Sequence, residues 1–183
     1  MRVVVQRVAR AAVRRLAPEP APRQGEAASP LPLAAALPDP AATVPAAEER
    51  RIGPGLVLLA GFRAEDDEAT LRWMAEKCLT LRVFPDAQGA LNKSVSDCDG
   101  ALLVVPNFSL YGDARKGRRP SFTQAAPPEV ASRLFDTFVH LLRAGPVPVE
   151  AGWFQEHMHV ELVNDGPVTL LLERETGAPL PHA

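Results

Sequence analysis

The chain has 183 residues, 46% of them apolar, and a formal net charge of -2. That length and apolar content suit one ordinary hydrophobic core, while the balanced charge excludes broad, nonspecific coating of nucleic acid, which needs a large excess of lysine and arginine. No apolar run approaches the roughly 20 residues of a membrane-spanning helix, so a soluble, cytoplasmic protein with no membrane partner is expected.

In chain order, Arg2 to Val8 is rich in valine and interrupted by charge, which suits a first strand and not a signal peptide. The stretch from about 17 to 50 is built mostly of alanine, proline and small polar residues. Closely spaced prolines remove backbone donors, and so few large apolar side chains cannot offset the entropy of ordering. It is expected to be a disordered insertion within a single domain spanning 1–175, with 176–183 as a flexible tail; a stiff polyproline recognition arm is the alternative. Gly55 to Phe62 is a continuous apolar strand after the turn Ile52-Gly53-Pro54-Gly55. Asp66 and Asp67 signal a helix start, followed by Leu71, Met74, Ala75, Cys78 and Leu79 at helical spacing. That face makes Cys78 a buried thiol, and Cys78 and Cys98 show no metal-ligand spacing.

Leu81 to Phe84 is expected to be a strand and Pro85-Asp86-Ala87-Gln88-Gly89 a turn. Ala101 to Val105 is a buried strand. A second helix starts near Pro127-Pro128, with Val130, Leu134, Phe138, Leu141 and Leu142 on one stripe. Two strands, Met158 to Val163 and Val168 to Glu173, close the domain. Many strands with two main helices, not strictly alternating, indicate an α+β domain with a mixed or largely antiparallel sheet. Neither GxGxxG nor a P-loop occurs, so no nucleotide cofactor is expected.

Three constellations bear on chemistry. Gly166-Pro167 lies in a turn between strands, where glycine and proline supply dihedral freedom and a fixed φ. A sharper reading is a rigid pair of carbonyls that accepts an ammonium group and walls off bulk beside it. In Pro106-Asn107-Phe108-Ser109-Leu110 a strand breaks at proline, and Ser109 is a nucleophile candidate. A nucleophilic serine needs a base within hydrogen-bond reach, and none is evident: His140 lies inside a helix and His182 in the tail. His157 and His159 share a strand face but lack a third ligand, so no metal is expected. Finally, Arg115, Lys116, Arg118 and Arg119 cluster in one loop. It is either a solvated charged loop or a phosphate clamp, with Phe122 or Phe154 either stacking on a terminal base or packing in the core.

Taken in order, the chain resembles the D-aminoacyl-tRNA deacylase family. The matching pieces are Val5-Gln6-Arg7-Val8, Ile52-Gly53-Pro54-Gly55-Leu56, Asp86-Ala87-Gln88-Gly89 with Asn92, Leu103-Val104-Val105, Arg119-Pro120-Ser121-Phe122, Gly152 and Phe154 with Met158, and Val163-Asn164-Asp165-Gly166-Pro167-Val168-Thr169. Each is weak alone, but the ordered set is specific. The resemblance implies a barrel-like core in a homodimer, where the Gly166-Pro167 turn, with a cis peptide, reaches into the partner's active site. There its carbonyls hold the amino group of the amino acid esterified to the tRNA 3′ end. An L side chain collides with them, whereas a D side chain points away.

Hydrolysis in the family is RNA-assisted: the terminal ribose hydroxyl helps activate water, and the protein supplies positioning. Gly166, Pro167, Asn107 and Ser109 are then expected at the reacting centre, and Arg7, Phe108, Phe122, Phe154, Met158, Asn164 and Thr169 around the substrate. Arg7 holds the turn in place. The partners implied are aminoacylated tRNA and a second subunit, not DNA, and the substrate range extends to mischarged glycyl-tRNA. One departure stands out. The family's Ser-Gln-x-Thr/Ser-Leu string appears as Pro106-Asn107-Phe108-Ser109-Leu110, with the amide one methylene shorter and a hydroxyl lost. A catalytically weakened module that only binds the tRNA acceptor end, and a serine esterase using Ser109, are the competing readings.

Overall fold

The computed structural model describes residues 1–16 and 48–177. The chain enters as β1 (Arg2–Arg15), which continues seven residues beyond the valine-rich run because it is paired on both sides. On one side lie β2 (Glu48–Ile52) and β3 (Gly55–Gly61), antiparallel and in one unbroken register, with Arg15 opposite Glu48 and Arg2 opposite Gly61. β2 therefore takes in the last three residues of the proline-rich stretch. The rest of that stretch and the tail from 178 lie outside the described residues.

After α1 (Glu68–Thr80) come β4 (Phe84–Pro85) and β5 (Leu91–Lys93), a two-stranded hairpin whose turn is tied by Asp86, which accepts from the Gln88 and Ala90 N–H groups. Leu81 to Val83 lies outside any strand, with the Val83 N–H turned back onto Leu81 O at 3.1 Å, correcting the expected strand there; an apolar run alone cannot distinguish paired backbone from backbone that only packs. β6 (Ala101–Pro106) lies parallel to β3, and after α2 (Pro128–Arg143) the short β7 (Val149–Ala151) lies parallel to β6. β8 (Met158–Glu173) returns antiparallel along the other side of β1. It runs through the Gly-Pro turn as one strand, so the two expected closing strands are halves of a single one. The bulge falls where the partners shift from Gln6↔Thr169 to Val8↔Asn164. The result is the expected α+β architecture with a mixed sheet, nearly closed into a barrel.

Side chains alternate across the sheet, and each face has its own core. One face (Val3, Val5, Leu56, Leu58, Leu102, Val104) is covered by Leu71, Met74 and Cys78 of α1 and by Phe135, Phe138 and Leu142 of α2. The opposite face holds Val8, Ala11, Val13, Val57, Leu103 and Val105. Val5 and Val8, three residues apart, face different cores by this alternation, whereas Val8 and Ala11, also three apart, share one because a second irregularity between Val8 and Arg10 shifts it. Asp67 caps α1, accepting from Thr70 N–H at 2.8 Å, while Asp66 accepts from Arg63 N–H and pairs with the Met1 amino group at 2.6 Å. The buried face of α2 is Ala131, Phe135, Phe138, Val139 and Leu142, so Val130, Leu134 and Leu141 of the expected stripe flank it.

Cys78 is buried as expected and Cys98 is exposed. Burial pushes the Cys78 thiol up to about 12, leaving almost no thiolate at neutral pH. A disulfide reagent is therefore expected to label one thiol in the folded protein and two after unfolding; two fast-reacting thiols in the native state would contradict this packing.

Candidate functional site

Five of the expected site residues converge on one cleft of about 730 Å³. β3 ends at Gly61, Phe62 follows it, and β6 ends beside it at Pro106-Asn107, with Asn107 N–H donating to Ala60 O at 2.8 Å. These strand ends form one wall, and Pro127, Pro128 and Ala131 at the start of α2 form another. Asn107, Phe108, Phe122, Phe154 and Met158 complete the lining. Phe154 packs against Phe135 and belongs to the floor. Phe108 and Phe122 stand differently: they are 62% and 39% exposed, with ring centroids 4.9 Å apart. Two exposed aromatic rings at the mouth of an apolar cleft offer stacking surface to a planar ligand.

Ser109 does not line this cleft; it sits in the 3-10 turn Phe108–Tyr111, hydrogen-bonded to Asn107. Among the lining residues only Glu156 and His157 have ionisable side chains. Sequence reasoning passed over Gln155 and Glu156, which are unremarkable in type. Gln155 has φ +57°, a left-handed conformation, and this turn brings Glu156 and His157 to the cleft. A second hollow of about 400 Å³ adjoins the first across Asn107, His157 and Met158, and is bounded by Val160 and Leu162 of β8. His157 and His159 do stack edge to face at 5.9 Å, and no group of three or more histidine, cysteine, aspartate or glutamate side chains suited to a metal occurs among the described residues.

The remaining site residues lie elsewhere. Gly166 and Pro167 form an exposed corner, joined by a cis peptide, with Gly166 at φ +123°. Asn164 spans its base: Oδ1 accepts from Val168 N–H at 3.0 Å, and Nδ2 donates to Thr169 Oγ1 at 3.0 Å. A backbone N–H only donates, so this amide has one possible orientation. From below, buried Arg7 donates to Val83 O at 2.6 Å and, through Nε, to Asp165 O at 3.1 Å, with the Asp165 carboxylate 3.2 Å from the same nitrogen. The corner is thus held from two sides. Along β8, Met158 to Gly166 spans about 25 Å at ~3.3 Å per residue, so the corner of a chain is well removed from that chain's own cleft.

Arg7→Ala removes a buried cation's hydrogen bonds to two carbonyls and is expected to cost about 2–3 kcal/mol. Arg7→Lys should recover little, because one ammonium cannot reproduce the guanidinium fork that bridges Val83 and Asp165. Thermal unfolding of the two variants checks this; full stability in Arg7→Lys would show that charge alone suffices.

In the basic loop, Arg115 is engaged by Asp113 through two side-chain contacts at 2.9 and 2.6 Å, and this guanidinium holds the Asp113 carboxyl well below the usual range. Lys116, Arg118 and Arg119 are exposed.

The chain is similar to known proteins over most of its length. A family model described as D-Tyr-tRNA(Tyr) deacylase matches residues 40–173. The D-aminoacyl-tRNA deacylase of Heliobacterium modesticaldum is 56% identical over 135 residues, covering 74% of this chain and 90% of that protein. The protein of the same name from Carboxydothermus hydrogenoformans is 55% identical over 122 residues, covering 67% and 84%. A solved structure described as c-Myc DNA unwinding element binding protein superposes with a TM-score of 0.73 at 34% identity, over 96% of this chain and 100% of that one. A probable eukaryotic D-amino acid tRNA deacylase shares the fold, with a TM-score of 0.67 at 19% identity over 93% and 97%. With the match running from the proline-rich stretch to the end of β8, and so through both the cleft and the corner, the chain belongs to the D-aminoacyl-tRNA deacylase family of hydrolases.

Proposed function

We propose that the chain hydrolyses the ester of D-aminoacyl-tRNA to free D-amino acid and tRNA, working in the cytoplasm as a homodimer. Water adds to the carbonyl carbon, the bond to the ribose oxygen breaks, and the proton from water ends on that oxygen. The observation that carries the reading is the division of the family's residues between an apolar cleft and a braced corner that a single chain keeps apart. A second copy supplies the missing half: the Gly166–Pro167 corner of one subunit enters the cleft of the other.

Two features favour that pairing. Among the described strands β8 pairs only with β1, and it carries Val160, Val163, Leu170 and Leu171 exposed at 38–56%. A long strand with a free edge and exposed apolar residues is normally covered. The hollow beside Asn107 and Met158 also opens along this strand, where a partner would lie.

In the assembled site the corner's backbone oxygens accept the substrate's ammonium group and leave no room for an L side chain. The terminal ribose hydroxyl assists the attack of water, in keeping with a Ser109 hydroxyl committed to an amide oxygen and not to a base. Phe108 and Phe122 stack on the terminal base, and Lys116, Arg118 and Arg119 hold phosphates. Glycyl-tRNA, which has no side chain to exclude, is a second substrate.

Incubation with D-tyrosyl-, L-tyrosyl- and glycyl-tRNA tests the proposal, with rapid release from the D ester and little from the L ester expected. Equal release from both would reject chirality-based editing, and binding without turnover would favour the acceptor-end binding module. A substrate ending in 2′-deoxyadenosine is expected to be hydrolysed at least tenfold more slowly, and equal rates would remove the RNA's part in the reaction.

A further inference from the structure

The turn from Gly152 to Met158 brings Phe154, Gln155, Glu156, His157 and Met158 to the main cleft. Backbone bonds hold its two ends: Gly152 N–H donates to Val104 O at 2.7 Å, and Leu16 N–H donates to His157 O at 3.0 Å. Between these anchors Gln155 sits at φ +57°. A residue with a side chain keeps such a left-handed conformation only where its surroundings enforce it. Trp153 is placed to do so. Phe154 faces the cleft, whereas Trp153 lines neither the cleft nor the adjoining hollow and packs against the second core. Its Nε1–H donates to Glu48 Oε2 at 3.1 Å, and the guanidinium carbons of Arg50 and Arg15 lie over the indole, 4.3 and 5.7 Å from its ring centroid. Arg15 also pairs with Glu48 at 3.1 Å and stands 3.9 Å from Glu156, and Arg50 donates to Ala151 O.

We propose that Trp153 is a positioning residue: clamped by Arg15, Glu48 and Arg50, it holds the Gly152–Met158 turn in the left-handed form that seats Phe154 and Gln155 in the cleft. The clamp is built from the end of β1 and from β2, which the sheet already fixes in register. An indole offers both a donor to the carboxylate and a face to the cations, so one side chain gathers all three partners. Trp153 touches no substrate and acts only through the turn that it anchors. The assignment rests on the deacylase reading for its substrate, but the clamp itself does not.

Substitutions at three positions and one spectroscopic measurement decide it. Trp153→Ala empties the clamp, and kcat/KM for D-tyrosyl-tRNA, measured well below the melting temperature, is expected to fall about 10–100-fold. Trp153→Phe keeps a ring for the two guanidiniums and loses only the Nε1–H bond, so it should recover all but about two- to fivefold. Gln155→Gly separates positioning from lost packing, because glycine adopts the left-handed turn without help. Relative to Gln155→Gly alone, adding Trp153→Ala is then expected to cost about threefold or less. Unchanged kcat/KM in Trp153→Ala overturns the proposal, and so does a loss of equal size in both backgrounds, which would leave Trp153 a packing residue only. In ¹⁵N-labelled protein, Glu48→Ala removes the indole's acceptor from a distant point of the sequence, and the Phe154 and Gln155 backbone amide resonances are expected to move; unmoved resonances overturn the clamp. That measurement needs no turnover and no Trp153 variant that folds poorly. An enzyme inert toward D-aminoacyl-tRNA would sink the deacylase reading, while the resonances still decide whether the clamp holds the turn.

Discussion

Replacing Gly166 with alanine is expected to lower kcat/KM for D-tyrosyl-tRNA by about a hundredfold while leaving a folded protein. The backbone at this position has φ +123°, a conformation that costs an L residue about 1–3 kcal/mol. An added Cβ would lie 2.9 Å from Val168 Cγ2, 3.0 Å from Arg7 Nη2 and 3.1 Å from Val168 N. The valine methyl can turn aside, but the guanidinium cannot retreat while it is fastened to Val83 O and Asp165 O. The corner must therefore shift, and a displacement near 1 Å in a group that positions substrate can cost about 10²-fold. Gly166 is exposed and belongs to neither core cluster, so the loss in melting temperature should stay below about 10 °C. Deacylation kinetics with thermal unfolding of the same preparation make the test. Unchanged turnover would mean that the corner does not meet the substrate.

Gly55→Ala should act on the opposite quantity, stability, and more severely. Gly55 pairs with Ala101 across the parallel β3–β6 contact, and an added Cβ would lie 1.9 Å from Ala101 O and 2.8 Å from both Ala101 C and N. Every one of these atoms is backbone, so no rotamer relieves the clash. β6 would have to move out by an ångström or more, loosening pairings that position Asn107 at its far end. Overpacking against main chain at a buried site belongs to the costly class of substitutions, and about 3 kcal/mol or more is expected. For a chain of this size that is about 6–12 °C in Tm. A melting curve within 2 °C of wild type would show that β3 and β6 lie further apart than described here.

What the sequence discloses about this fold follows from how local each signal is. Asp67 caps its helix from three residues away, and Cys78 keeps the helical spacing that buries it; both were readable from neighbours alone. The length of β1 was not. Ala9 to Arg15 carries little strand propensity and is extended because β2 and β8 flank it. The closing strand was read as two because Gly166-Pro167 breaks the alternation, although hydrogen bonds resume on β1 beyond the bulge.

The candidate site divides in the same way. Asn107, Phe108, Phe122, Phe154 and Met158 were legible through their resemblance to a known pattern, and they do share a cleft. Two features carried no signal. Val83 contributes to the corner only through its carbonyl, which every residue possesses. Gln155 takes up a left-handed conformation without being glycine, and that turn brings Glu156 and His157 to the rim.

The uninterrupted register between β1 and the β2–β3 pair has a practical consequence. Since Arg15 faces Glu48 directly, the chain departs from the barrel and rejoins it at neighbouring points. Whatever length of polypeptide joins them can change without moving any rung of the ladder, as loop closure grows only slowly with length. This seam is a natural graft point, able to take a fluorophore, an affinity tag or a bare two-residue turn while the cleft at the end of β6 stays as it is.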